Sequence, residues 1–176
     1  LFWNYFYEGK LLQPGEIVNG LFTIGHFLPT SANKIIQVNV SGFGNILFPT
    51  WIARKIPIDP IYNYAYEDYD FVIRIRRLGY KVLYNTRAFV FHLPRIKEDE
   101  DVTRAYLLGF DKGVFYKKML LYYKWFFKPK WTVAILSQIV HSLFKNPAVG
   151  TYNILGFIRG FRKSLDLYRF SSKPQT

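Results

Sequence analysis

The clearest periodic stretch of the chain is EDYDFVIRIRRLG, residues 67–79. Its apolar positions Phe71, Ile75 and Leu78 fall at spacings of four and three and lay one stripe along a helix. Val72 widens the stripe, Arg74, Arg76 and Arg77 take the remaining faces, and Gly79 ends the helix. Two short β-prone runs follow: KVLY (81–84) and, after a turn at Asn85-Thr86, AFVFHL (88–93), which closes at Pro94. Upstream, IIQVNV (35–40) reads as a strand, SGFGN supplies two glycines for a tight turn, and ILFPTWIARKI runs on towards Pro57. Pro57 and Pro60 bracket an extended connection into the helix. Strand, turn, helix, strand, strand is an α/β order.

Beyond Asp101 the pattern changes. LLGFDKGVFYKKMLLYYKWFFKPKW mixes aromatics with lysines, and WTVAILSQIVHSLF is apolar for one short helix before Asn146-Pro147 breaks it. Roughly 20 unbroken apolar residues are needed to span a bilayer, and neither run has them. An interfacial helix fits better, with Phe115, Tyr122, Tyr123, Trp125, Phe126, Phe127 and Trp131 suited to the headgroup boundary. The alternative is that these aromatics cover the protein's own core. Gly156 and Gly160 in NILGFIRGFRK have a small-xxx-small spacing that permits close helix packing, or they are a fortuitous pair.

Composition narrows the function classes. Half of the 176 residues are hydrophobic, enough for one sizeable core. The chain has no cysteine, which excludes disulfide frameworks, thiolate metal sites and cysteine nucleophiles. Leu1–Lys10 has no basic region leading into an apolar run, so no signal peptide is read there, and with Met119 as the lone methionine the start at Leu1 reads as that of a fragment. Of 24 Lys/Arg and 12 Asp/Glu, residues 1–101 hold 11 and 10, leaving 13 and 2 for residues 102–176. The net charge of +12 is therefore a property of the second part and favours anionic partners: nucleic acid, an acidic lipid surface or a phosphorylated substrate.

Against that basic background, Glu67, Asp68 and Asp70 gather in the first turn of the expected helix. Carboxylates there complement the helix dipole, a purely structural reason for their presence. A carboxylate facing a pocket at a helix start can also accept a proton from a bound hydroxyl. Both readings explain the placement. Asp70 is expected to face a helix partner or cap backbone N–H groups rather than act chemically.

YEDYDFVIRIRRLGYKVLYNTRAFVFH resembles the late catalytic segment of inverting, family-2 type glycosyltransferases of the GT-A fold, where an ED pair opens an amphipathic helix followed by Gly-Tyr-Lys-Val, a turn and a strand ending in His. VNVSGFGNILF is similar to that family's Gly-rich acceptor-side strand and loop, and GFDKGVFYKKML to its basic post-catalytic helix, so the resemblance covers roughly residues 38–120. It implies an α/β protein: the C-terminal half of a GT-A mixed sheet in residues 1–101, followed by a helical, basic, membrane-associated region in 102–176. It also implies Asp68 as the general base, Glu67 as a residue that helps hold the acceptor, Gly42, Gly44 and Asn45 on the acceptor side, and His92 as a ligand of the divalent metal or leaving diphosphate. His26 and His141 have no such support.

The implied metal is Mg or Mn, held mainly by residues upstream, since no DxD-type motif precedes Glu67 and Asp59 is the only earlier Asp. Asp68-Tyr69-Asp70 has that spelling, but its place at the helix start argues against a metal motif. The loop after Asn45 also departs from the family, running ILFPTW where relatives often carry a basic pair. The implied partners are a nucleotide-sugar donor, a hydroxyl acceptor, lipid-linked in one version, and an anionic membrane surface, with the protein peripheral on the cytoplasmic face. The expected role is glycan or cell-surface polysaccharide or glycolipid synthesis, by an enzyme of which this chain alone is inactive. The competing class is a non-catalytic basic module that binds nucleic acid or anionic membrane, with aromatics stacking on bases between lysines; no nucleic-acid motif supports it.

Overall fold

The structure is a computed structural model that describes residues 6–7, 10–11, 17–18, 22–23, 35–38, 46–85, 101–123 and 130–163. Two minimal antiparallel pairs come first: β1 (Phe6–Tyr7) with β2 (Lys10–Leu11), and β3 (Ile17–Val18) with β4 (Phe22–Thr23). β5 (Ile35–Val38) pairs antiparallel with β6 (Val82–Asn85), in the register Ile35↔Asn85 to Val38↔Val82. Val38 and Val82 face the core from adjacent strands, while Ile35, Gln37 and Leu83 face outward. Among the described residues every strand pairing is antiparallel and two-stranded. The expected mixed sheet is therefore not what these residues form, and the described fold is mainly helical.

Helices supply the bulk of it. The run towards Pro57 contains α1 (Thr50–Lys55), whose Ile52 and the following Ile56 lie four apart and are buried on one side. α2 (Glu67–Arg77) forms where the apolar period places it, and the chain leaves it through Gly79 at φ +89°, a left-handed conformation. α3 (Val102–Leu121) begins at Asp101, whose side chain accepts from Thr103 N at 2.9 Å. α4 (Lys130–Lys145) ends at the Asn146-Pro147 break. α5 (Pro147–Arg162) starts with Pro at its first position and Asn146 accepting from Val149 N at 3.3 Å.

One core runs across Asp101. Val38, Ile52, Ile56, Phe71, Val72, Ile73, Ile75 and Val82 pack with Phe115, Met119 and Tyr123 from α3 and its end, and with Ile135 and Ile139 of α4. α2 is more deeply enclosed than a single stripe implies. Ile73 and Arg74 are buried along with Phe71, Val72 and Ile75, whereas Leu78 is exposed.

α3 and α5 run in the same direction, with Asn153 beside Ala105 and Gly109, Phe157 beside Gly113, and Lys163 O accepting from Lys117 Nζ at 2.9 Å. Their contact is made backbone to backbone. Gly109 and Gly113 of α3 lie against the main chain of α5, and Gly156 and Gly160 of α5 lie against the main chain of α3 at Tyr106 and Phe110. A Cβ at any of the four would collide with a facing carbonyl. The spacing of Gly156 and Gly160 is thus used for close packing, and Gly109-xxx-Gly113 is its counterpart.

Two aromatics expected at a membrane boundary belong to this core: Phe115 is 1% exposed and Tyr123 is 0% exposed. Phe115 stacks on Tyr66 at 5.3 Å between ring centroids, and the Tyr123 hydroxyl donates to Asp70 Oδ1 at 2.7 Å. The core-covering alternative holds for both. Trp125, Phe126 and Phe127 lie outside the described residues.

Candidate active site

Residues 59–70 carry the acids that the sequence singles out, and α3 holds this stretch in place. Asp111, fully buried inside α3, points its carboxylate at the loop before α2. It accepts from Asn63 N at 3.0 and 3.1 Å, Tyr64 N at 2.6 Å and Ala65 N at 2.9 Å. Three successive backbone donors on one ionised acceptor make a charge-assisted clamp, stronger than ordinary neutral bonds.

The clamp leads into Tyr66, which sits at φ 71°, the only non-glycine residue with positive φ among those described. A tyrosine in that region is strained by about 1–3 kcal/mol and persists where its surroundings over-determine it. Here the surroundings are the Asp111 clamp, the stacked Phe115 ring and the Tyr69 ring edge-on at 5.9 Å. Burial, with the nearby charges of Asp111 and Asp68, pushes the Tyr66 hydroxyl well above its ordinary pKa, so it stays neutral. Tyr66 O then accepts from Asp70 N at 3.0 Å and opens the helix.

Glu67 and Asp68 form the first turn, at the positive end of the α2 dipole. Both are half-buried. Asp68 Oδ1 accepts from Tyr69 N at 2.8 Å. Glu67 Oε2 is buried without a hydrogen-bond partner among the described residues, an uncommon condition for a buried carboxylate oxygen.

Asp70 has a different fate. It is 0% exposed; its Oδ2 meets Arg74 Nε at 2.9 Å, and its Oδ1 accepts from Lys118 Nζ at 3.0 Å and Tyr123 OH at 2.7 Å. Lys118, 1% exposed, also pairs with Asp59 at 2.6 Å and lies 4.7 Å from the Tyr62 ring. Arg74 Nη1 donates to Pro57 O at 2.7 Å. The Tyr62 hydroxyl is buried close to the Asp70 carboxylate and feels its charge. Burial first, and Asp70 second, raise the pKa of both Tyr62 and Tyr123. Asp70 thus faces a helix partner, α3, as expected, and this network fixes α2 against α3 and the 57–62 connection.

Among the described residues no group of three or more His, Cys, Asp or Glu could hold a metal ion. The carboxylates of Asp59 and Asp70 are bridged by Lys118, and Asp70 is turned away from Asp68's half-exposed environment into the core, so Asp68-Tyr69-Asp70 does not fit a metal motif. Gly42, Gly44, Asn45 and His92 lie outside the described residues, as does His26. Sequence reasoning missed Asp111 and Lys118. Their signal is a lone acid between Gly109 and Gly113, and a lysine at heptad spacing from it, sharing a helix face with Leu107, Leu108, Val114, Phe115, Leu121 and Tyr122 at three and four positions' distance. Comparison with family models, with curated proteins and with solved structures finds no match to this chain.

Proposed function

We propose that this chain is the acceptor-side part of an inverting glycosyltransferase, in which Asp68 takes the proton from an acceptor hydroxyl as that oxygen attacks the anomeric carbon of a nucleotide sugar. The C–O bond to the donor sugar forms on the face opposite the diphosphate, the bond to the diphosphate breaks, and configuration inverts. The nucleoside diphosphate leaves with the bonding electron pair.

The observation that carries this reading is the division of labour among three acids in one helical turn. Asp70 is spent on a buried ion network, whereas Glu67 and Asp68 stand half-buried at the dipole's positive end, with Glu67 Oε2 still lacking a donor. The resemblance gives Glu67 the role of helping to hold the acceptor, which its buried Oε2 could take only after turning towards solvent. The remaining parts belong to the same reading. A divalent metal, Mg or Mn, would supply charge neutralisation at the diphosphate; the resemblance gives His92 a share in holding it and Gly42, Gly44 and Asn45 a place on the acceptor side. The enzyme works peripherally at the cytoplasmic face of a membrane, on an acceptor that is lipid-linked.

The test is a panel of nucleotide sugars offered to the complete enzyme, with nucleoside diphosphate release and product configuration measured. Acceptor-dependent release with an inverted linkage is expected. A product that keeps the donor's configuration, or binding of single-stranded nucleic acid with no transfer to any acceptor, contradicts the reading.

A further inference from the structure

α4 and α5 each turn an apolar face outward. On α4, Val133, Leu136, Val140 and Phe144 recur at spacings of three, four and four, on the side opposite the buried Ile135 and Ile139. Exposure reaches 69% at Val133 and 84% at Phe144. On α5, Tyr152, Leu155 and Ile158 are exposed on the side away from Gly150, Asn153, Gly156 and Gly160, which face inward. Arg159 and Arg162 are interleaved with them. Large aliphatic side chains left out of the core along two consecutive helices mark an interaction surface.

Charge decides what fits it. Residues 130–163 contain Lys130, Lys145, Arg159, Arg162 and Lys163 and no Asp or Glu. A two-fold contact between copies would bring this acid-free patch against itself and set arginine against arginine. A nucleic acid would meet its phosphates but would leave the aliphatic stripe of α4 without a partner, since bases stack on rings. A bilayer with anionic headgroups satisfies both: acyl chains receive Val133, Leu136, Val140 and Phe144, and headgroups receive the cations, whose stems lie along the apolar surface. Neither helix is long enough to do more, and among the described residues no helix is long and apolar enough to cross a membrane.

We propose that the outward faces of α4 and α5 are the surface by which this protein docks on an anionic lipid bilayer. This deepens the peripheral part of the reading above and rests on that part, not on the chemistry of Asp68. It also moves the contact away from the aromatic and lysine-rich end of α3, where Phe115, Lys118 and Tyr123 are core and Lys112 is buried.

The experiment is vesicle co-sedimentation of the full chain, with no sugar donor present, on phosphatidylcholine vesicles and on equimolar phosphatidylcholine–phosphatidylglycerol vesicles. Binding to the anionic vesicles is expected to exceed binding to the neutral ones, to weaken with salt and to retain an apolar remainder. Leu136→Glu with Val140→Glu should reduce it at least tenfold. Arg159→Gln and Arg162→Gln should each reduce it about fivefold, as about 1 kcal/mol per basic residue implies, with the loss confined to anionic vesicles. All four substitutions lie on exposed positions, and an unchanged circular dichroism spectrum and unfolding midpoint confirm that the fold is kept. Equal binding to both vesicle types, undiminished binding by the α4 double variant, or a wild-type dimer that this variant splits without affecting vesicle binding would each overturn the assignment. Because no donor is present, failure here leaves Asp68's role standing, and loss of transfer by an Asp68 variant leaves the docking surface standing.

Discussion

α3 is held on two sides by opposite means. Towards α2 and the 57–65 connection it presents buried charges: Asp111 clamps three backbone N–H groups, and Lys118 joins Asp59 to Asp70. Towards α5 it presents Gly109 and Gly113 against Gly156 and Gly160, with main chains in contact. The polar seam gains its worth from having every partner present, since a buried charge that loses its counter-charge is strongly destabilising. The glycine seam gains its worth from shape and is indifferent to charge. One fixes the direction in which the first turn of α2 is presented; the other fixes the distance at which the C-terminal helices lie.

Breaking the polar seam should have the larger effect. Asp70→Asn keeps the shape but leaves Lys118 and Arg74 short of a buried negative charge, and should cost about 3–5 kcal/mol in urea unfolding. A cost below that of an exposed ion pair, about 1 kcal/mol, would show that the network carries little. On the glycine seam, Gly156→Ala puts a methyl into Tyr106 O and Phe110 N, and should cost about 1–3 kcal/mol by forcing the helices apart. Its neutral replacement makes it a test of shape alone.

The two seams also differ in their response to pH. Tyr123 in the polar seam has its pKa raised above the ordinary 10.0 by burial and by Asp70. Below that value the phenol is protonated in folded and unfolded chains alike; above it the unfolded chain loses the proton and the folded one keeps it, so stability falls as pH rises. Tyr123→Phe should remove up to about 1.4 kcal/mol per pH unit of that alkaline slope, and Gly156→Ala should leave the slope unchanged. Unfolding midpoints measured on either side of the tyrosine range distinguish them. The smallest effect is expected at Gly79→Ala, where the added methyl meets open space and only the φ of +89° is costly, by roughly 1 kcal/mol.

The glycine seam was half legible in sequence and the polar seam barely so, for a physical reason. Small-xxx-small spacing is a local pattern, visible at Gly156 and Gly160 and equally at Gly109 and Gly113 once α3 is recognised as helical. α2 was legible from its apolar period, and β6 and the start of β5 from their β-prone runs. Local period wrongly assigns Arg74 to a remaining polar face and Leu78 to the stripe, because the burial of Arg74 depends on Asp70 and on Pro57 O from outside the helix. Nothing local reveals that Lys118 meets Asp59 and Asp70, or that Asp111 reaches back to residues 63–65; those contacts exist only once α3 is packed. α1 was hidden inside ILFPTWIARKI because six residues give too little period to separate helix from extended chain. The candidate acids Glu67 and Asp68 were legible as a cluster, while what separates them from Asp70, burial within the ion network, was not.

A single substitution at Asp68 tests that separation directly. On the proposed reading, Asp68→Asn in the complete protein changes one half-buried side chain at the helix start and should leave the unfolding midpoint and donor binding near wild type, while lowering transfer by about 10²–10⁴-fold as general-base catalysis is lost. Measured beside Asp70→Asn, it should lose activity without losing stability. Wild-type turnover in Asp68→Asn, or an activity loss that merely tracks an equal loss of stability, would contradict the assignment of the base to Asp68.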